Sequence, residues 1–328
     1  MVASGTGLPS HGLPRPREAI RRDRSGRVVA PAGLAATWAA WKVRHAASPA
    51  VRAWQPGAGN RRGAGPLSVR VLGEGPSAVV LLHGLTGSGD GFGAGFDVLS
   101  DRGRLVVPDL LGFGRSMDLE RSDFGLQAHL DALDAMVAEL SVAGLPLTVA
   151  GHSMGAVLAL HWAARRPETR RVVLFCAPLY EDTAEAKGRM RHMGLVERFF
   201  ALESPLSAFA CALMCRYRGI AQWLAVASSP QWPVHLARMG VLHSWSSYLG
   251  GMNGIVQGPG WREAMAELNA RRVPMVLAEG AHDRVPVPGC ATALAERFEC
   301  AAVLVHPTAG HDLPVSYPNW CAELILAR

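Results

Sequence analysis

Charged residues are scarce in this sequence. Only 18% of its 328 residues are Asp, Glu, Lys or Arg, whereas 49% are hydrophobic. This balance excludes an intrinsically disordered protein, because such chains combine few apolar residues with a high net charge. A chain of this length and composition can bury a large core and is typical of one domain of roughly 250 residues with additional segments.

Acidic residues are almost absent from the first fifth of the chain. Residues 1–65 contain 11 Lys and Arg against 2 Asp and Glu, a charge of +9, and the remaining residues contain 22 against 25, a charge of −3. The overall charge of +6 therefore belongs to an N-terminal segment, and nothing favours nucleic-acid binding by the rest of the chain. We predict that residues 1–66, rich in Pro, Gly and Arg, form a flexible basic arm.

Long hydrophobic runs are missing. The most apolar stretch of the arm, residues 28–41, is interrupted by Pro31 and is shorter than the roughly 20 residues that a membrane-spanning helix needs. The alternative to a plain surface arm is a helix in this stretch that lies on a membrane surface. The basic cluster at residues 21–24 is not followed by an apolar core and a cleavage site, so it does not predict a secretory signal.

The cysteines show no metal-ligand spacing. Cys176 lies in an apolar run, and Cys211 and Cys215 are one helical turn apart in another, so these are interpreted as small buried hydrophobic residues. Since no export signal is predicted either, we expect a reducing, cytoplasmic location and no metal site. The other three are Cys290, Cys300 and Cys321.

From residue 67 onward, short β-rich runs alternate with segments of helical spacing. Most of the strands are continuous apolar runs, which is typical of parallel strands covered on both faces by helices. The alternation predicts an α/β fold with a mostly parallel, doubly wound sheet. The predicted strands are residues 68–72, 78–82, 105–107, 147–150, 171–175, 275–278 and 302–306, and the predicted helices are 124–143, 156–165, 289–299 and 317–326.

One segment interrupts this alternation. Residues 180–260 contain no strand candidate and are rich in Met and Trp in helix-compatible sequence. We predict that they form a helical lid inserted into a core of residues 67–179 and 261–328. Most of the large apolar side chains of such an insertion pack its own small core, and only a few face a ligand.

A serine flanked by glycines follows the predicted strand at 147–150. The residues Gly151-His152-Ser153-Met154-Gly155 lead directly into a predicted helix. Such a strand, turn and helix expose the serine at the tip of a sharp turn, and glycine is required on both sides because a Cβ there would collide with the strand or the helix. Since the pattern also arises by chance, its neighbours must support it.

The other strand ends supply the remaining parts of a serine nucleophile site. Ligands of open α/β sheets bind beyond the carboxyl ends of the strands. Acyl transfer needs a hydroxyl, an imidazole that takes its proton and a carboxylate that orients the imidazole, and Ser153, His311 and Asp283 provide them. The backbone N–H groups of Met154 and Leu85 are predicted to bind the oxyanion.

With these features in place, the sequence resembles the α/β-hydrolase family, in its lid-bearing branch of esterases, lipases and carbon–carbon hydrolases. The resemblance covers residues 67–328, and the order Ser, Asp, His along the chain is the one that this family uses. It implies a lid over the site and neither a metal nor an organic cofactor. The matching segments are residues 83–87, 109–116, 151–155, Asp283 in a Gly-x-x-Asp-x-x-x-Pro setting, and 310–311.

Other residues compete for the same roles. Glu279, Asp312 and Asp182 are the alternative acids, and Asp283 is preferred because it occupies the family position. Asp109 and Arg115 are interpreted as structural residues of their loop. The resemblance assigns His83 to the shape of the oxyanion loop, and four more histidines are interpreted as packing or hydrogen-bonding residues: His152, His161, His282 and His306.

The predicted reaction is cleavage of an ester, thioester, lactone or activated carbon–carbon bond in a small apolar or amphipathic substrate. Two alternatives stay open: an acyltransferase that uses the same three residues, and a non-catalytic, ligand-sensing member of the fold. Arginines of the insertion either bind a substrate carboxylate or are simply solvated. They are Arg189, Arg191, Arg216, Arg218 and Arg238.

Overall fold

The computed structural model describes residues 21–22, 28–29, 32–190 and 204–327. The chain divides into a first unit of residues 1–43 and a second of residues 44–328. In the first unit, β1 (Arg21–Arg22) and β2 (Val28–Val29) pair in antiparallel orientation, and α1 (Ala32–Ala47) begins. The rest of the predicted arm before residue 32 lies outside the described residues.

An eight-stranded, mostly parallel sheet organises the second unit. Its strands lie in the order β10-β9-β8-β7-β5-β6-β4-β3, and only the β3–β4 and β4–β6 pairs are antiparallel. The predicted fold class is therefore confirmed, with all seven predicted strands in one sheet. The strands are β3 (Asn60–Ala64), β4 (Leu67–Leu72), β5 (Ala78–Leu82), β6 (Arg104–Pro108), β7 (Leu147–His152), β8 (Thr169–Phe175), β9 (Met275–Gly280) and β10 (Ala301–His306).

The sheet begins earlier than predicted. Strand β3 lies within the segment that was expected to be a flexible arm, yet it pairs residue by residue with β4, from Asn60 opposite Val71 to Ala64 opposite Leu67. Arg61 and Arg62 give this strand none of the apolar alternation that identifies a strand. An edge strand does not require a regular alternation of apolar residues. Charged residues are common on such strands because they prevent pairing with other chains. The helix α2 (Pro49–Ala53) precedes it.

Helices cover both faces of the sheet. One apolar core contains Val80 and Leu82 of β5, and the other contains Leu81 of the same strand, since successive side chains point to opposite faces. This two-sided burial explains why the strands are continuous apolar runs. The helices are α3 (Leu126–Glu139), α4 (Met154–Arg165), α5 (Thr183–Met190), α6 (Pro205–Arg216), α7 (Arg218–Ser228), α8 (Val234–Met239), α9 (Trp245–Gly251), α10 (Trp261–Ala270), α11 (Cys290–Arg297), α12 (Leu313–Ser316) and α13 (Pro318–Leu326).

The described part of the insertion between β8 and β9 is mainly helical. Helices α5 to α9 and a π-helical turn at Met252–Val256 make up most of it, and residues 191–203 lie outside the described residues. Among its described residues, His243 forms an isolated β-bridge with Phe113 of the core. Short 3-10 helices occur at Gly89–Gly91, Ala94–Asp101 and Gly114–Ser116. Within the described ranges, no helix has the length and apolar character required to cross a membrane.

Candidate active site

Ser153 occupies a strained turn between β7 and α4. Its backbone has φ 54° and ψ −121°, a conformation that L-residues rarely adopt. The turn is possible because both flanking glycines touch backbone: a Cβ on Gly151 would overlap the carbonyl oxygen of Gly155, and a Cβ on Gly155 would overlap that of Leu82. The Ser153 N–H also donates to the carbonyl of Phe175 over 2.9 Å, which ties the turn to the neighbouring strand.

The three side chains that the sequence selected meet at this turn. The Oγ of Ser153 lies 3.0 Å from Nε2 of His311, and Nδ1 of the same ring lies 2.9 Å from Oδ2 of Asp283. The carboxylate is buried, with 1% of its side chain exposed, whereas 32% of the His311 side chain is exposed. The arrangement is a continuous path of hydrogen bonds from a hydroxyl to a buried carboxylate.

The carboxylate of Asp283 is held in its charged form. Burial by itself raises its pKa, but hydrogen bonds from His311, from the Val285 N–H and from the thiol of Cys176 outweigh burial and lower it. A charged carboxylate accepts a hydrogen bond from a protonated Nδ1. The Nε2 atom then carries no proton and can accept a hydrogen bond from the Ser153 hydroxyl. The environment of Asp283 therefore selects the imidazole tautomer that a serine nucleophile requires.

The competing acids lie elsewhere. Asp312 bonds Ser316 at the start of α12, and Asp182 accepts from the Glu185 N–H at 2.8 Å at the start of α5. Glu279 is close enough to Asp283 that burial and the charge of Asp283 raise its pKa to about 7, but its side chain makes no hydrogen bond to a described residue. Of the four candidate carboxylates, only that of Asp283 forms a hydrogen bond with the His311 ring.

The loop after β5 lies against the serine turn. A Cβ on Gly84 would come within 3.1 Å of the Cβ of Ser153, so the loop backbone runs beside the hydroxyl. His83 fixes the loop, because its Nδ1 lies 2.7 Å from the Gly84 carbonyl and its Nε2 accepts from the Leu110 N–H at 2.8 Å. Burial lowers the pKa of His83, which keeps its ring neutral so that one nitrogen donates while the other accepts.

Asp109 organises the loop after β6. It is fully buried, with Oδ1 accepting from the Gly89 N–H at 2.8 Å and Oδ2 from the Arg115 N–H at 2.9 Å. The Arg115 guanidinium bonds Asp90 at 2.8 Å. These contacts agree with the structural interpretation of Asp109 and Arg115, and neither residue contacts Ser153 or His311.

Two neighbours of the site were not assigned to it from the sequence. His152 was interpreted as a hydrogen-bonding residue, and its partner is the backbone carbonyl of His311, 2.7 Å from Nε2. Cys176 was interpreted only as a small buried hydrophobic residue, yet its thiol donates to the Gly310 carbonyl beside His311, over 3.9 Å, and interacts with the Asp283 carboxylate. Burial raises the thiol pKa well above its ordinary value, so the sulfur keeps the proton that it donates. The available signal was position, since both residues lie at the carboxyl ends of strands.

Within the described part of the chain, one set of side chains has metal-ligand spacing: His152, Cys176 and His311, with ligand atoms within 4.8 Å of one another. The donors do not suit a metal. Two of the three ligand groups already have partners, because the His152 Nε2 lies 2.7 Å from the His311 carbonyl and the His311 Nε2 lies 3.0 Å from the Ser153 hydroxyl. These three residues are therefore better explained as neighbours within the serine site.

The helical insertion reaches the site through α9. A Cβ on Gly251 would come within 2.8 Å of the Met154 sulfur and 2.9 Å of the Leu85 side chain. The loop after β6 is held from the same side, because the Gly114 N–H donates to the Leu242 carbonyl at 2.8 Å. The insertion thus lies directly over the residues that flank Ser153.

The arginines that could bind a substrate carboxylate have different surroundings. Arg189 donates to the backbone carbonyls of Arg284 and Pro286, over 2.5 and 2.8 Å, so its guanidinium is already engaged by the loop of Asp283. Arg191 lies outside the described residues. Arg216 and Arg238 are exposed on the insertion, and neither makes a hydrogen bond with Ser153 or His311.

Comparisons with known proteins assign this chain to a family. A model of the alpha/beta hydrolase family matches residues 79–324. The chain is 39% identical over 115 residues to the magnesium-chelatase 30 kDa subunit of Rhodobacter capsulatus, a match that covers 34% of this chain and 40% of that protein. It is 32% identical over 159 residues to a pimeloyl-[acyl-carrier protein] methyl ester esterase of Xanthomonas oryzae, covering 44% and 59%. Both matches span less than two thirds of the relative.

Solved structures share the architecture. A thermophilic esterase from Thermogutta terrifontis has a TM-score of 0.58 to this chain at 23% identity, over 81% of this chain and 97% of the esterase. At this identity the likeness shows the fold alone. Chemistry must therefore be argued from the side chains at the ends of the strands.

Proposed function

Because the chain belongs to the alpha/beta hydrolase family, we propose that it is a serine hydrolase whose triad is Ser153, His311 and Asp283. One observation carries the proposal. A strained serine lies 3.0 Å from an imidazole whose other nitrogen lies 2.9 Å from a buried, charged carboxylate. The strain at Ser153 supports a functional role, since a rare backbone conformation persists only where the surroundings impose it.

The proposed reaction begins with attack of the Ser153 Oγ on a carbonyl carbon. His311 takes the hydroxyl proton at Nε2, and the Asp283 carboxylate stabilises the imidazolium that results. The protonated His311 then gives this proton to the leaving group, and an acyl-enzyme remains on Ser153. Water, deprotonated by His311, releases the acid and restores the serine.

The oxyanion is assigned to the N–H groups of Met154 and Leu85. Met154 is the first residue of α4, where N–H groups have no partner within the helix. Among the described residues, neither N–H donates a hydrogen bond. Two donors beside the nucleophile stabilise the charge that develops in the transition state, and loss of one such donor typically costs on the order of a hundredfold in rate.

An ester, thioester or lactone with an apolar acyl part fits this site best. Gly251 of the insertion lies close to the side chains of Met154 and Leu85 beside the serine turn, and on this basis we assign the insertion the role of a lid. The name of the Xanthomonas oryzae relative, a methyl ester esterase, supports ester cleavage as the reaction class. Because the matched part covers 59% of that protein, its acyl-carrier substrate is not carried over to this chain.

Labelling by a fluorophosphonate probe tests the proposal. Ser153→Ala should abolish both labelling and turnover of a p-nitrophenyl ester, whereas Ser228→Ala, at an exposed serine of α7, should change neither. Full labelling of the Ser153→Ala protein would place the nucleophile elsewhere. Adding an alcohol or amine acceptor to the same assay tests the acyltransferase alternative, which predicts acylated acceptor in preference to free acid.

A further inference from the structure

The helical insertion exposes an unusual amount of apolar surface. Eight of the fourteen large apolar side chains that are exposed in the described part of the chain lie between residues 206 and 234. Six of them form a surface that we call the outer face, with exposures from 47% to 65%. Its members are Leu206, Phe209 and Leu213 of α6 and Ile220, Trp223 and Leu224 of α7.

The outer face follows helical periodicity. The three residues of α6 are spaced i, i+3, i+7 and those of α7 i, i+3, i+4, so each set occupies one side of its helix. The opposite side of α6 is the packed one, since Cys211 is buried and the Cys215 thiol donates to the His243 carbonyl at 3.2 Å. Helix α6 therefore has apolar residues on two opposite sides. The side of Cys211 and Cys215 packs against the protein, and the other side is exposed to solvent.

The sequence that contains the outer face carries charge of a single sign. From Ser204 to Arg262 there are four arginines and no Asp, Glu or Lys, and Glu203 and Glu263 flank this range. Arg216 and Arg218 lie at the junction of α6 and α7, between the two halves of the outer face, and the Arg216 guanidinium stacks on the Tyr217 ring with 5.7 Å to its centroid. A surface of this size that serves only solvation would carry charges of both signs.

We propose that the outer face docks this protein on a lipid bilayer that contains anionic lipid. Amphipathic helices with Trp, Phe and Leu on one side and arginine beside them lie in the interface of such membranes. Arginines near an anionic leaflet are attracted to its surface, and aromatic and aliphatic side chains that leave water strengthen the binding. A bilayer suits this surface better than an acidic protein, because the exposed residues are large and apolar over two consecutive helices.

Docking in this way places the membrane next to the candidate site. Helix α6 contacts the segment around His243, and α9, which follows it, lies over Met154 and Leu85. An apolar molecule that leaves the bilayer would thus meet the insertion first. The inference stands on the surface itself and does not require that Ser153 be a nucleophile.

Vesicle flotation with the full-length protein tests the proposal. The protein should float with vesicles of phosphatidylcholine and phosphatidylglycerol, less with phosphatidylcholine alone, and less at high salt. Phe209→Ser with Trp223→Ser should lower the partition coefficient by more than about tenfold. The matched control is Leu119→Ser with Leu304→Ser, two exposed apolar residues outside the outer face, which should float like the wild type.

Two further sets of variants test the arginine charges and the insertion of Trp223 into the bilayer. Arg216→Glu with Arg218→Glu should weaken flotation by at least about tenfold, whereas Arg170→Glu with Arg297→Glu, at exposed arginines elsewhere, should not. Trp223→Phe keeps the apolar surface, so it should still float, but with less quenching of tryptophan fluorescence by brominated lipid. Ser153→Ala should float like the wild type, which separates this inference from the proposed function.

Three results would overturn the inference. The first is a wild-type protein that does not float with the mixed vesicles. The second is undiminished flotation of both outer-face variants, which would assign the binding to the basic segment of residues 1–65. The third is a concentration-dependent dimer that the outer-face variants lose while no form binds vesicles, since a second copy would then cover the surface.

Discussion

The ring of His152 and the backbone of His311 are joined by a hydrogen bond of 2.7 Å. Burial lowers the pKa of His152 to about 3, so the ring is neutral at physiological pH and its Nε2–H can donate to the carbonyl. The residue before the candidate nucleophile thus holds the loop that carries the candidate base. Two residues that lie 159 positions apart in the chain are fixed relative to each other.

We expect His152→Phe to lower kcat by about tenfold or more, because the ring volume remains while the bond that orients His311 is lost. His161→Phe, on α4 and without contact to His311, is the matched control and should leave kcat unchanged. The measurement is ester turnover together with the rate of fluorophosphonate labelling. Equal rates in both variants would show that His311 is held without help from His152.

Asp283→Asn should reduce kcat by about a thousandfold or more, because an amide favours the imidazole tautomer that cannot accept the Ser153 proton. Asp312→Asn makes the same exchange at the residue after His311, whose carboxylate bonds Ser316 and not the His311 ring. It should therefore retain most of the activity. Comparable losses in the two variants would point to a general disturbance of the loop, and a near-normal Asp283→Asn would move the acid to another residue.

Gly155→Ala should destabilise the protein by about 3 kcal/mol and abolish probe labelling, because the new Cβ overlaps backbone of β5 that cannot move away cheaply. Gly63→Ala is the control, since a Cβ on Gly63 has no neighbour within 4 Å. Urea unfolding measures the free-energy difference. A stable and active Gly155→Ala protein would refute the requirement for glycine beside the serine turn.

Acid should destabilise the fold through its buried histidines, of which His129 is a test case. Burial lowers its pKa from 6.5 to about 4, so below pH 6.5 the unfolded chain binds a proton that the native chain does not. Stability is therefore lost as the pH falls from 6.5 towards 4. When the pH is lowered from about 8 to about 5, the unfolding free energy of His129→Gln should rise by about 2 kcal/mol relative to that of the wild type.

Urea unfolding at the two pH values measures this difference, and the exposed His282→Gln controls for loss of a histidine as such. An unchanged difference between His129→Gln and the wild type at both pH values would show that His129 is protonated in the native state.

Local sequence predicted much of this molecule because several of its signals are local. Each of the seven predicted strands is a strand of the sheet, because a short apolar run rich in β-branched residues is well suited to a position between two layers of helices. The Gly–Ser–Gly turn is likewise a property of neighbouring residues, and the structure explains it by the backbone atoms that a Cβ would strike. Ser153, His311 and Asp283 could be selected because each follows a strand of the same sheet.

Tertiary structure decided the rest. Strand β3 has no alternation of apolar residues. It forms because its backbone pairs with the free edge of β4. The interaction between the Cys176 thiol and Asp283 depends on the pairing of β8 with β9. The sequence around either residue does not predict its partner. The apolar residues of the insertion were predicted to pack inward for the most part. Helical spacing predicts that Phe209 and Leu213 share a side of α6. Phe209 and Leu213 are exposed to solvent because the opposite side, with Cys211 and Cys215, is the one that packs.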